Sequence, residues 1–199
     1  MALFGKPKYT IVRLKKREMP EGLWTKCEGC SETLYNKTLE ENLKVCPKCD
    51  YHFVLGAHER IGMLLDKDSF QEFDKDMESA DPLDFKGPKT YKEKLASDQK
   101  ATGLKDAVIS GQGSLNGKNV IIAVTDSRFI MGSMGSVVGE KITRAIETGT
   151  KSKLPVVIVS GSGGGARMYE GLYSLLHIYR EKMVNQGETS NFTTTHYGL

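Results

Sequence analysis

The chain has 199 residues and a formal net charge of +3, enough for one large or two small domains with a buried core. No stretch approaches the ~18 consecutive apolar residues of a membrane span, and no apolar signal core follows the basic N-terminus, so a cytoplasmic location is expected. The charge is bipolar rather than uniformly basic: residues 1–18 carry six Lys/Arg against one Glu, and residues 66–84 carry eight acids against two lysines.

Residues 1–25 read as a basic arm, with Lys6, Lys8, Arg13, Lys15, Lys16 and Arg17 available to an acidic partner, an anionic cofactor or nucleic acid. Residues 26–50 contain all four cysteines, Cys27, Cys30, Cys46 and Cys49, as two C-x2-C pairs separated by fifteen residues. Each pair curls around a cation as a knuckle, and the two together complete a tetrahedral shell of four thiolates suited to Zn2+. Such a shell has no open position for water or substrate, so one structural zinc is expected. His52 and His58 lie close in sequence, but the shell is full without them.

Residues 51–104 read as a helical connector. HERIGMLLDKDSFQEF opens with a short amphipathic helix, and a second helix of about ten residues is predicted around Tyr91 to Lys100, after the breakers Pro82, Gly87 and Pro88. The core begins at residue 105. Two β-rich runs flank Asn116-Gly117, a favoured hairpin dipeptide. Val138, Ile142, Ala145 and Ile146 share one face of a helix for which Gly149 is a plausible stop. LPVVIV is a strand of buried type, and Leu172, Leu175, Leu176 and Tyr179 carry a final helical period. This order predicts an α/β or α+β core over residues 105–184. The polar tail of residues 185–199 is expected to be disordered.

Two glycine-rich junctions interrupt that core, MGSMG at residues 131–135 and SGSGGGA at residues 160–166. No Lys-Ser or Lys-Thr follows either one, which excludes a Walker-type ATP loop; a dinucleotide fingerprint matches only cheaply, at Gly161, Gly163 and Ala166. A glycine cluster between strand and helix presents unpaired N–H groups with no side chain in the way. It suits a phosphate or a developing oxyanion, and equally a tight turn. Arg167 is compatible with an anionic ligand or with an internal ion pair. No Ser or Cys has an evident His partner.

Beyond these physical readings, the segments LWTKCEGC, LEENLKVCPKCDYHF, AHERI, GSMGSVVGEKITRAIE and GGARMYEG together closely resemble the β-subunit family of bacterial and plastid-type acetyl-CoA carboxylase carboxyltransferases, over about residues 1–176. The resemblance implies a zinc ribbon on a partial crotonase-like (ClpP/crotonase) core. It implies transfer of a carboxyl group from carboxybiotin to acetyl-CoA, giving malonyl-CoA for fatty acid synthesis. The implied partners are an α subunit, a biotin carboxyl carrier protein and the ATP-using biotin carboxylase. It further implies that backbone N–H groups of Gly164, Gly165 and Ala166 stabilise an enolate, and that Gly132, Ser133, Met134, Gly135 and Arg167 shape the acetyl-CoA site. Biotin itself is the expected proton acceptor. Met131 stands where the family has glycine, and one glycine is extra in the second cluster. Beyond Leu176 the family pattern stops, so a truncated core that depends on a partner is expected. A zinc-ribbon nucleic-acid-binding module or an inactive truncated fragment is the competing reading.

Overall fold

The structure is a computed structural model that describes residues 22–161 and 164–176. Most of the basic arm, Tyr179 and the polar tail lie outside the described residues. The chain divides into two compact units, Met1–Val54 and Leu55–Leu199.

In the first unit, β1 (Trp24–Lys26) pairs antiparallel with β2 (Thr33–Tyr35), and α1 (Asn36–Glu41) follows directly. The apolar interior is small: Cys27, Leu34, Leu39 and Cys46 are buried, with Tyr51 and Phe53 packed beside them. Each C-x2-C knuckle is closed by its own backbone, through Ser31 N–H donating to Cys27 O at 2.9 Å and Asp50 N–H to Cys46 O at 3.0 Å.

The second unit is built on an antiparallel hairpin, β4 (Val108–Leu115) and β5 (Lys118–Thr125). Its turn is Asn116-Gly117 with φ of +50° and +75°, the left-handed pair that a two-residue hairpin with right-handed strand twist requires. Asp66 locks it: the carboxylate accepts from Ser114 Oγ at 2.7 Å, Asn116 N–H at 3.1 Å and Gly117 N–H at 2.8 Å. Those bonds, the Ser114 hydroxyl first, hold the Asp66 carboxyl below its ordinary value. Replacement by Ala is expected to lower the urea midpoint at neutral pH, and the difference from wild type should shrink as acid protonates the carboxylate.

The sheet runs β3-β4-β5-β6, where β3 (Gln71–Phe73) is antiparallel to β4 and β6 (Val156–Val159) is parallel to β5. A parallel neighbour needs a crossover, and α4 (Ser136–Ser152) supplies it, packed against β4, β5 and β6. The expected face is the buried one: Val138, Ile142, Ala145 and Ile146 all face the core. On the other elements, α2 (Ala57–Leu64) also packs on β4 and β5. β5 is buried at every position from 120 to 125, so the sheet is covered on both faces there. Each Ile buried in this way contributes about 1.5–3 kcal/mol.

Three local expectations are corrected. Gly149 does not stop α4, which runs on to Ser152 and is capped by Lys153 at φ +54°. Gly149 instead admits β6, since a Cβ there would lie 2.2 Å from Val156 Cγ2. The LPVVIV strand is only half-buried, because β6 is the last strand of the sheet among the described residues. The segment expected as a connector contributes a strand, β3, besides α2 and α3 (Tyr91–Thr102). α3 is bounded as its sequence implies, by a Thr90/Glu93 capping box and by Gly103 in the left-handed region.

Candidate functional site

The two glycine junctions meet. β5 exits through Asp126 into a tight turn, Ile130–Gly132, that leads to α4. β6 exits into residues 160–166 and a second tight turn, Met168–Glu170. A single parallel bridge joins the exits, with Met134 N–H donating to Gly165 O and Arg167 N–H to Met134 O, both at 2.9 Å. Gly164 lies directly on the other turn: a Cβ there would sit 2.7 Å from Gly132 C, Met131 O and Ser133 N. Only glycine permits that backbone crossing.

Beside the crossing is a cavity of about 410 Å3, lined by Gly164, Gly165, Ala166, Met131, Ser133 and Arg128 among others. In a parallel bridge of this register the N–H of Ala166 points away from Met134. The amides of Gly164, Gly165 and Ala166 donate to no acceptor among the described residues. The first glycine cluster differs at its three central amides, although Gly135 N–H also donates to no acceptor among the described residues. Gly132 N–H bonds Phe129 O at 2.8 Å, Ser133 N–H bonds Ile130 O at 3.1 Å and Met134 N–H is in the bridge. Of its expected site residues, Ser133 lines the cavity, whereas Gly132, Met134 and Gly135 stand behind it. Among the described residues the lining contains no histidine or cysteine. Its one carboxylate, Asp98, is held by Lys94 at 2.9 Å and by Ile130 N–H at 3.1 Å.

Ile130 and Met131 have φ of +42° and +55°, a left-handed backbone that costs roughly 1–2 kcal/mol per non-glycine residue. Met131 therefore carries strain at the position where glycine is expected, and its side chain projects into solvent at 79% exposure. It does not fill the cavity.

Arg167 takes the second of its two readings. Its side chain is fully buried and all five guanidinium N–H groups have acceptors. Nη1 and Nη2 pair with Asp106 at 2.9 and 2.7 Å, Nη2 also bonds Ser133 O at 2.8 Å, Nε bonds Ser133 Oγ at 3.2 Å, and Nη1 bonds Tyr91 Oη at 3.0 Å. Burial works against its charge, and the Asp106 carboxylate more than restores it, raising the Arg167 pKa. Asp106, Tyr91, Ser79 and Glu170 complete this cluster. Sequence reasoning missed them: Asp106, Tyr91 and Ser79, 61, 76 and 88 positions from Arg167, carry no local signal of pairing, and Glu170, an i,i+3 neighbour of Arg167, gives no sign of its other partners.

Two buried carboxylates matter for acid stability. Burial alone would raise Glu170 and Asp126, but Tyr91 and Ser136 N–H hold Glu170 below its ordinary value, and Arg128 with Ala57 N–H does so for Asp126. Depressed native values mean the unfolded chain binds more protons as pH falls below about 5. Their stabilisation is thus fully present above the unfolded carboxylate pKa and is lost as pH drops through the native values. Urea midpoints measured from pH 7 to pH 3 are expected to fall on acidification. The slope should lessen in Asp126→Asn.

The four thiols converge as expected. Cys27, Cys30, Cys46 and Cys49 place their Sγ atoms within 4.8 Å of one another, with pairs at 3.6 and 3.8 Å. Tetrahedral ligation at a Zn–S distance of about 2.3 Å requires Sγ atoms about 3.8 Å apart, so the shell fits one zinc ion. His52 and His58 are not part of it.

Residues 24–49 match the acetyl-CoA carboxylase zinc finger domain, and residues 55–182 match the carboxyl transferase domain. The acetyl-coenzyme A carboxylase carboxyl transferase subunit beta of Desulforamulus reducens is 54% identical over 187 residues, covering 89% of this chain and 64% of its own. That of Carboxydothermus hydrogenoformans is 48% identical over 186 residues, 92% of this chain and 65% of its own. The chain therefore spans somewhat under two thirds of the length of these relatives. Among solved structures, transcarboxylase 12S with methylmalonyl-coenzyme A and methylmalonic acid bound superposes with a TM-score of 0.53 at 27% identity, over 66% of this chain and 23% of that one.

Proposed function

The chain belongs to the carboxyl transferase family, as a member with a four-cysteine ribbon ahead of a crotonase-like α/β core, and on that premise we propose that it is the β subunit of an acetyl-CoA carboxylase carboxyltransferase. It works with an α subunit and a biotin carboxyl carrier protein, and with biotin carboxylase in the larger assembly. The observation that carries this reading is that the amides of Gly164, Gly165 and Ala166 donate to no acceptor among the described residues and lie beside a cavity whose described lining offers hydrogen-bond donors but no uncommitted base.

Those donors suit a thioester whose carbonyl oxygen gains charge as its methyl group loses a proton. Preorganised N–H groups aimed at such an oxygen act in the reaction without reorganising, and loss of one typically costs about 10²–10³-fold in rate. Biotin, delivered on its carrier, would supply the carboxyl group and the proton acceptor. The chain's own part is to hold the thioester, polarise it and keep the crossing rigid. Gly132, Ser133, Met134 and Gly135 back that site, and Arg167 acts on it through Ser133.

The test is malonyl-CoA formation from acetyl-CoA and carboxylated carrier with the α subunit supplied. Turnover is expected only with the partner present. Gly164→Ala, which forces the crossing apart, is expected to lower it about 10²-fold. A wild-type pair that forms no malonyl-CoA under conditions in which a full-length relative does would refute the reading.

A second activity has one observation in its favour. Trp24 and Tyr35 pack across β1 and β2 with ring centroids 5.2 Å apart and planes tilted by 54°, and both are exposed within the ribbon, aromatic faces able to stack on unpaired bases. Binding to single-stranded RNA that falls steeply with salt and disappears in Trp24→Ala would support it; salt-independent or undetectable binding would remove it.

A further inference from the structure

Glu170 does not itself line the cavity, yet it is fully buried and its carboxylate is hydrogen-bonded at both oxygens. Oε2 accepts from Ser136 N–H, the first amide of α4, at 2.6 Å. Oε1 accepts from Tyr91 Oη at 2.6 Å and from Ser79 Oγ at 2.8 Å, with Arg167 Nη1 at 3.4 Å. Three residues earlier in the same turn, Arg167 grips Ser133 at both its carbonyl and its hydroxyl. Between those anchors the backbone bridge holds Met134. Residues 133, 134 and 136 are thus each fastened by the segment Gly165–Glu170. Gly135 is enclosed so closely that a Cβ would meet Glu170 Oε1 at 2.6 Å and Arg167 Nη1 at 2.7 Å.

We infer that Glu170 is a positioning residue: by tying α4's first amide to the turn after Ala166, it sets the orientation of the Gly164, Gly165 and Ala166 amides. The inference deepens the proposed function and rests on it for its catalytic consequence. Stability alone gives a poor account of the arrangement, because buried ion clusters are often replaced by apolar side chains without loss. Directional bonds do what apolar contact cannot. A carboxylate at a helix N-terminus also meets the positive end of the helix dipole, so α4 and the glycine crossing are held in one register. Glutamine in place of Glu170 keeps the shape but has only one acceptor, so it cannot serve Ser136 N–H and the two hydroxyls together.

The experiment compares wild type, Glu170→Gln and Tyr91→Phe in the full chain, by amide hydrogen exchange and by carboxyl transfer with the partner supplied. In Glu170→Gln, exchange at Met134, Ser136 and Arg167 is expected to quicken at least about tenfold while Ile121 and Ile122 stay protected. kcat should fall up to about 10²-fold, with KM for acetyl-CoA little changed, as expected when the donors shift by about 1 Å. Tyr91→Phe, which leaves the bond to Ser136, should keep those amides near wild type. Unchanged exchange at Met134 and Arg167 in folded Glu170→Gln, or equal loosening in Tyr91→Phe, overturns the inference. If Glu170→Gln fails to fold, Glu170→Asp, which keeps the charge but is one methylene short, is read at the same amides with the same two outcomes. Exchange differences in a pair without turnover would sink the proposed function and leave the positioning role standing; normal turnover with unchanged exchange would do the reverse.

Discussion

Cys46→Ser is expected to unfold the ribbon unit and leave the sheet unit standing. Among the described residues, Leu34 and Leu39 are the only aliphatic side chains buried there. Two leucines bury too little apolar surface to hold the unit by themselves, so zinc binding, about 10–16 kcal/mol in comparable small modules, supplies much of its folding free energy. Removing one of four thiolates, or adding a strong chelator to the full chain, should therefore collapse the dispersed Leu34 and Leu39 methyl resonances. Amides of β5 should keep their protection, since they belong to the other unit. Methyl spectra unchanged after verified loss of metal would contradict the assignment.

Asp106→Asn should be the most damaging conservative change in the sheet unit. It leaves the Arg167 guanidinium, 0% exposed, without its bidentate carboxylate, and also weakens the acceptor of Ala107 N–H. Breaking one side of a buried pair costs about 3–5 kcal/mol. At roughly 2–4 °C per kcal/mol for a unit of this size, the midpoint of a calorimetric melt is expected to drop by about 6–20 °C. The double variant Asp106→Leu with Arg167→Met should recover much of that stability, because no charge is left stranded. It should not recover turnover, because Ser133 loses its anchor. A double variant as unstable as Asp106→Asn would mean that the network's geometry, and not the stranded charge, sets the cost.

Legibility in the sequence follows the range of the physics involved. The ribbon can be read from spacing alone, since a metal shell needs its ligands in fixed pairs whatever surrounds them. Asn116-Gly117 and the Val138, Ile142, Ala145, Ile146 face can be read because turn sterics and helical period are local. Gly149 misleads for the same reason: a glycine near a helix end looks like a stop, and only the approach of Val156 reveals that it makes room for a neighbour. β3 is three residues long and shows no alternation of its own; β4 recruits it. The two glycine clusters are recognisable as open backbone, but not that the central amides of the first, Gly132, Ser133 and Met134, are engaged while those of Gly164, Gly165 and Ala166 donate to no acceptor among the described residues. That distinction depends on a bridge between Met134 and Ala166, 32 positions apart. Arg167 shows the same limit. Its partner Asp106 sits at the start of the core, and nothing near either residue announces the other.

The central claim is that the amides of Gly164, Gly165 and Ala166 draw charge onto a thioester oxygen. Isotope-edited infrared difference spectroscopy of acetyl-CoA labelled at the thioester carbon, bound to the chain with its α partner, tests it most directly. The account predicts that the carbonyl stretch moves to lower frequency on binding, and that the shift is lost in Gly164→Ala while the thioester still binds. A bound carbonyl that absorbs as it does in water, or a shift that survives Gly164→Ala unchanged, would contradict it.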